Sequence, residues 1–157
     1  MTSLREALAA KRVREATFPV AIADPQPAEQ ALLEAKQRLV YAGIGKTDPE
    51  ETKAAEESFE KAAADLEACF YRMQLHALPP SDYEALRDEH TNEAGDVDLG
   101  SFLPALVAVS VVDGNLTAEE WAVELASDRW TSGDKQDLLR RLVDLNAKPI
   151  SAGLPKG

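Results

Sequence analysis

Two periodicities run along this chain, and the helical one covers most of its length. Between Ala28 and Ala42, the positions Ala31, Leu32, Ala35, Leu39 and Ala42 recur every three or four residues, with Gly43 placed as a C-terminal stop. A second stripe, Ala55, Phe59, Ala62 and Leu66, follows Asp48-Pro49-Glu50-Glu51. There Asp48 can cap, Pro49 suits the first helical position, and Glu51 completes a box. Helices over 28–42 and 49–68 most simply form an antiparallel hairpin. Alanine on the facing stripes permits close approach but buries little area, so the hairpin alone is expected to be marginal and to need a partner surface.

The second half repeats one device four times. Pro79 and Pro80 stop any preceding element, and Ser81 with Glu84 has the spacing of a capping box, predicting a helix over 82–89. After an acidic loop, 93–100, Ser101 opens a helix over 102–112. Phe102, Leu106, Val109 and Val112 share one face, and Leu103, Val107 and Ser110 lie beside them. This helix is apolar nearly all round and should be the buried centre, with Pro104 in its first turn. Thr117 with Glu120 opens a helix over 118–127 whose inner face carries Trp121 and Leu125, with Val123 as a further candidate. Thr131 to Asp134 opens the last, over 134–146, with Leu138, Leu139, Leu142, Val143 and Leu145 inward.

The alternating pattern is confined to two places. Phe18-Pro19-Val20-Ala21-Ile22 suits one short strand, which Pro19 restricts to an edge or to its first residues. Phe70 to Leu78 reads both as a continuing helical stripe and as an alternation; the alternation favours a strand over 69–78 that pairs with 18–22. Residues 3–16 place Leu4, Leu8 and Val13 among Arg5, Lys11, Arg12 and Arg14, a weakly amphipathic helix that is either a docking arm or a frayed terminal helix. The expected organisation is mainly α with two short strands. It comprises an arm (1–17), strands flanking a helical hairpin (18–78), a four-helix module (79–148) and a flexible tail (149–157) rich in glycine and proline.

Composition narrows the function classes. The 157 residues carry a net charge of −11, unevenly spread: residues 1–78 hold 10 basic and 13 acidic groups, and 79–157 hold 7 and 15. Nucleic acid is a poor partner for such a C-terminal half, because phosphate binding needs clustered Lys and Arg. No apolar run reaches the length of a membrane span, and residues 1–14 lack the apolar stretch of a secretory signal, so a cytoplasmic protein without membrane contact is expected. Cys69 is the single cysteine, which excludes an intramolecular disulfide and a cysteine-built zinc site, and reads as a buried thiol.

Candidate chemistry thins out on inspection. Gly43-Ile44-Gly45-Lys46-Thr47 ends like a phosphate-binding loop, but Val40 stands where that motif needs glycine, and a helical stretch precedes it instead of a strand. Asp113-Gly114-Asn115-Leu116-Thr117 with Glu124 imitates part of a calcium loop, yet Ala118 occupies the glycine position. His76 and His90 lack a nucleophile and an orienting acid in their sequence surroundings. No catalytic, cofactor or metal site is expected. Trp121, Trp130 and Phe102 are the candidate partner-contact residues, since aromatic side chains anchor interfaces; for Trp130 core and interface remain equal alternatives.

The order of pieces over residues 70–148 carries a family resemblance. Pro79-Pro80-Ser81-Asp82-Tyr83-Glu84-Ala85-Leu86, the acidic loop, Phe102-Leu103-Pro104-Ala105-Leu106, the Thr117-Ala118-Glu119-Glu120-Trp121 helix start and the Ser132-Gly133-Asp134 helix ending near Asn146 resemble the tail assembly chaperones of long-tailed bacteriophages that infect actinobacteria. The resemblance implies a non-enzymatic protein that binds the phage tape measure protein and keeps it soluble in the host cytoplasm until the tail tube forms. It also implies absence from the finished particle, and a longer form made by ribosomal frameshifting is common in that family. The alternatives are a permanent virion component, such as a head–tail connector or tail terminator, and a host adaptor. The alanine-rich hairpin is then a support for the module or a surface for self-association into a homo-oligomer.

Overall fold

A computed structural model describes residues 1–45, 48–114 and 116–149. Lys46 and Thr47 of the phosphate-loop-like run, Asn115 of the Asp113 loop and tail residues 150–157 lie outside the described residues. Within them the fold is mainly α: α1 (Leu4–Ala10), β1 (Glu15–Ala21), α2 (Gln26–Ile44), α3 (Pro49–Glu67), β2 (Phe70–His76), α4 (Pro80–Glu89), α5 (Leu99–Ser110), α6 (Ala118–Leu125) and α7 (Ser132–Ala147). β1 and β2 pair as a two-stranded antiparallel sheet. The chain divides into two compact units within these strands, Met1–Phe18 with Met73–Gly157, and Pro19–Arg72.

In the second of these units α2 and α3 pack on each other as the expected hairpin. Its buried side chains are Ala35, Ala55 and Ala62, while Leu33, Val40, Tyr41 and Ile44 stay exposed. Little apolar area leaves water per residue, so the hairpin gains little stability from its own seam. Gly43 is not the stop that its position suggested, because α2 continues to Ile44 and Gly45 caps it. Asp48 caps α3 through the Glu50 amide, without a box to Glu51. Cys69 is half-buried, with Sγ 3.4 Å from the Asp65 carbonyl oxygen, and is not the fully buried thiol expected.

The larger unit is organised on α5, which packs against α4, α6 and α7. Phe102, Leu103, Pro104, Leu106, Val107 and Ser110 are buried but Val109 is exposed, so this helix is covered on only part of its apolar surface; it ends at Ser110, short of the expected 112, and Val112 beyond it is exposed. Leu138, Leu142 and Leu145 of α7, Trp121 and Leu125 of α6, and Met73 and Leu75 of β2 complete the core. Three local expectations shift. α4 begins at Pro80, whose fixed φ suits the first helical position, and Ser81 forms no cap. α5 begins at Leu99 because Asp98 takes the cap, accepting from the Gly100 amide at 3.1 Å while its own amide is held by the His90 carbonyl. Pro104 therefore lies inside the helix, and the Gly100 carbonyl it leaves without a helical partner belongs to an exposed residue that water can reach.

The N-terminal segment departs most from its pattern. α1 covers only Leu4–Ala10 with every residue exposed, and Glu15 to Thr17 join β1 instead of extending the helix. Backbone pairing supplies the reason, since the Ala77 amide donates to the Arg14 carbonyl at 2.9 Å as the strands meet. Pro19 sits mid-strand without penalty, because each strand of a two-stranded sheet has a free edge. Arg14 also donates to the carbonyls of Asp144 (3.2 Å) and Lys148 (2.5 Å), placing a cation on the last carbonyls of α7.

Ser110 is fully buried and its hydroxyl has no hydrogen-bond partner among the described residues. A buried hydroxyl without a partner costs about 1–3 kcal/mol of desolvation. Ser110→Ala is therefore expected to raise the stability of the protein by about 1 kcal/mol, read as a higher urea midpoint with an unchanged slope. A lower midpoint would mean that the hydroxyl is satisfied in solution.

Candidate partner-binding site

The three aromatic candidates occupy different depths of the larger unit. Phe102 is 3% exposed, with its ring centroid 6.2 Å from that of Tyr83 and 6.1 Å from that of His90. Trp121 is 7% exposed and its indole N–H has no hydrogen-bond partner among the described residues. Trp130, in the connection between α6 and α7, is half-buried. Its ring stacks on Phe18 at a centroid distance of 6.4 Å and an interplanar angle of 10°. Only Trp130 of the three presents appreciable surface, and Phe102 and Trp121 hold the interior.

A charged cluster fixes the orientation of Trp130. Glu124, near the end of α6, accepts from Trp130 Nε1 at 3.2 Å and from Arg129 in a two-pronged pair, Nη2 at 2.6 Å and Nε at 3.2 Å. The hydrogen bond from Arg129, and then that from Trp130, hold the Glu124 carboxyl below the ordinary glutamate range against a smaller opposing effect of burial. A depressed carboxyl stabilises the fold fully above the unfolded-state value of about 4.3, and the contribution is lost as pH falls through the lower folded-state value. The stability difference between wild type and Glu124→Gln is accordingly expected to be constant near neutrality and to shrink below about pH 4. Urea midpoints measured across that range test it, and a difference that grows on acidification contradicts the assignment.

The sequence pattern did not single out a nearby groove. It lies between α5 and α6 and is lined by Leu99, Leu103, Pro104, Ala122 and Ala126, with Lys135 of α7 alongside. Leu99 is half exposed, and Val123 on α6 is 74% exposed. Ala122 and Ala126, one helical turn apart, lie at the surface and leave the groove open where larger side chains would fill it. An exposed leucine at a helix start, followed by small residues spaced by four on the next helix, was the available signal. Among the described residues no cluster of three or more His, Cys, Asp or Glu side chains could hold a metal ion, and no helix is long and apolar enough to cross a membrane. His76 is half-buried with Nδ1 3.1 Å from the Ala77 carbonyl oxygen. Compared with protein-family models, curated proteins and solved structures, the chain finds no match in any of the three.

Proposed function

We propose that this chain is a non-catalytic tail assembly chaperone that binds the tape measure protein of its phage and holds it soluble in the host cytoplasm while the tail is built. The observation that carries the reading is the open groove between α5 and α6, with Leu99, Ala122 and Ala126 on its walls, in a unit whose sequence is strongly acidic. A groove of this kind accepts one apolar face of a partner helix, and the surrounding carboxylates keep the pair in solution. The order of helices over residues 70–148, from the Pro79-Pro80 start to the Thr131 cap, supports the same reading through its resemblance to that family. Trp130, oriented by Glu124, forms a second contact at the α6–α7 connection.

Co-expression tests the proposal directly. With this chain present, the soluble fraction of tape measure protein is expected to rise severalfold. Ala122→Glu, which places a charge on the groove wall at an exposed helical position, is expected to abolish the gain while moving stability by no more than about 0.5 kcal/mol. Trp130→Ala should weaken the gain without unfolding the chain. Equal soluble fractions with and without the chain, and no complex on gel filtration, would transfer the assignment to a permanent virion component, which particle mass spectrometry would detect in stoichiometric amount.

A further inference from the structure

Helix α2 carries two apolar stripes, and the hairpin covers one of them. Ala28, Leu32, Ala35, Leu39 and Ala42 form the covered stripe, with Ala35 buried and the others half-buried. The second stripe, Gln30, Leu33, Gln37, Val40 and Ile44, also recurs in steps of three and four, but it is centred about 160° round the helix from the first. A neighbour that covers the first therefore leaves the second open. Leu33 is 50% exposed, Val40 58% and Ile44 79%, and Tyr41, one turn beyond Gln37, is 76% exposed. These four side chains together expose on the order of 500 Å², the size of patch that marks an interaction site.

Spacing and charge select what covers this face. Alternate steps of three and four are the a and d positions of a heptad, the pattern by which a helix pairs with another of the same pattern, so a second α2 fits the stripe. The charges of α2 are Glu29, Glu34, Lys36 and Arg38, two of each sign, in a chain whose net charge is −11. Another copy of this helix meets no net repulsion. Its direction and alignment follow from the positions that flank the stripe. A parallel pair sets Glu29 of each copy against Glu34 of the other, and an antiparallel pair overlapping along all of α2 sets Glu34 against Glu34 and Lys36 against Lys36. An antiparallel pair displaced by one heptad avoids all three conflicts. Leu33 then meets Ile44 of the second copy and Gln37 meets its Val40, while Glu34 lies beside its Tyr41, a hydroxyl donor for the carboxylate, with Arg38 on the same side.

We infer that the outer face of α2 is a self-association surface, through which two copies of this chain pair antiparallel with Leu33 against Ile44. The contact is isologous, so each residue pair occurs twice about the two-fold axis. Two patches of this size cover about 1,000 Å² together, the lower edge of a specific interface, and the two glutamines in the seam weaken it further while fixing its register. The dimer is therefore of micromolar strength and exchanges with monomer. It uses neither the alanine seam of the hairpin nor the groove between α5 and α6, and it stands independently of the tape measure proposal.

Sedimentation velocity of the full chain tests this. Wild type is expected to pass from monomer to dimer with a Kd of about 1–100 μM. Val40→Glu, at an exposed helical position, is expected to keep native far-ultraviolet circular dichroism and to weaken the dimer about tenfold or more. Leu8→Glu, on the equally exposed α1, is expected to dimerise as wild type does. Wild type that stays monomeric up to about 1 mM overturns the inference, as does an unchanged dimer in Val40→Glu or a dimer lost in Leu8→Glu. If Val40→Glu does not fold, Gln37→Glu takes its place with the same expected outcome, since glutamine and glutamate have nearly equal helix propensity. Cross-linking then reads the alignment in a Cys69→Ser background. Chains carrying Leu33→Cys and chains carrying Ile44→Cys are expected to form a disulfide when mixed and none when either is alone, whereas self-linking of the Leu33→Cys chain marks a parallel pair and overturns the antiparallel assignment.

Discussion

Leu106→Ala is expected to cost the protein about 2–5 kcal/mol, toward the upper end of that range. Leu106 is 0% exposed on α5, the helix that packs against α4, α6 and α7. Truncation removes a side chain enclosed by elements that cannot all close on the gap, so a cavity term adds to the lost transfer energy. Val107, likewise fully buried on the next position, limits how far α5 can rotate to fill it. Against a total stability of about 5–15 kcal/mol for a domain of ordinary size, such a loss approaches unfolding at elevated temperature. Urea denaturation measures it. A loss below about 1 kcal/mol would mean that α5 is not the centre of the unit.

The centrality of α5 was legible because eight apolar residues in twelve leave no wide polar face, and only a buried helix tolerates that. Its boundary was not legible. Ser101 and Asp98 are both acceptable caps, and the choice fell to Asp98, which also donates its amide to the His90 carbonyl. The same limit explains the N-terminus. Leu4, Leu8 and Val13 have helical spacing, but the pairing of β1 with β2 joins residues far apart in sequence and outweighs the local preference beyond Ala10. The strand pair itself was visible in the alternation of Met73 and Leu75, which are buried, with Arg72 and Gln74, which are exposed.

Site residues were less legible than elements, for a physical reason. An aromatic side chain has the same appearance in sequence whether it anchors a partner or fills a core, and burial is settled only by what packs over it. The acidic stretch 93–100 reads as a solvated loop, and its hairpin turn was not legible because the bond from the Gly95 amide to the Asn92 carbonyl goes with the pairing of Thr91 and Val97. Arg129 and Glu124 were similarly silent, since a five-residue separation across a helix end is not one of the regular helical pair spacings.

Phe102→Ala is expected to be the most costly of the aromatic substitutions, at about 3–5 kcal/mol. Its ring is 3% exposed and meets both Tyr83 of α4 and His90 of the following loop, so truncation loses transfer energy and two aromatic contacts together. Any loss of partner binding by this variant should then track the unfolded fraction, and stabilising the chain with an osmolyte should restore both. Trp130 provides the contrast. Half-buried on Phe18 and tied to Glu124, it gives up less burial when truncated, so Trp130→Ala should cost about 1–2 kcal/mol and leave the chain folded at 25 °C. Denaturation midpoints and the soluble yield of tape measure protein, measured on both variants, separate the roles. A folded Phe102→Ala protein with a wild-type midpoint and no partner binding would make Phe102 a contact residue and displace it from the core.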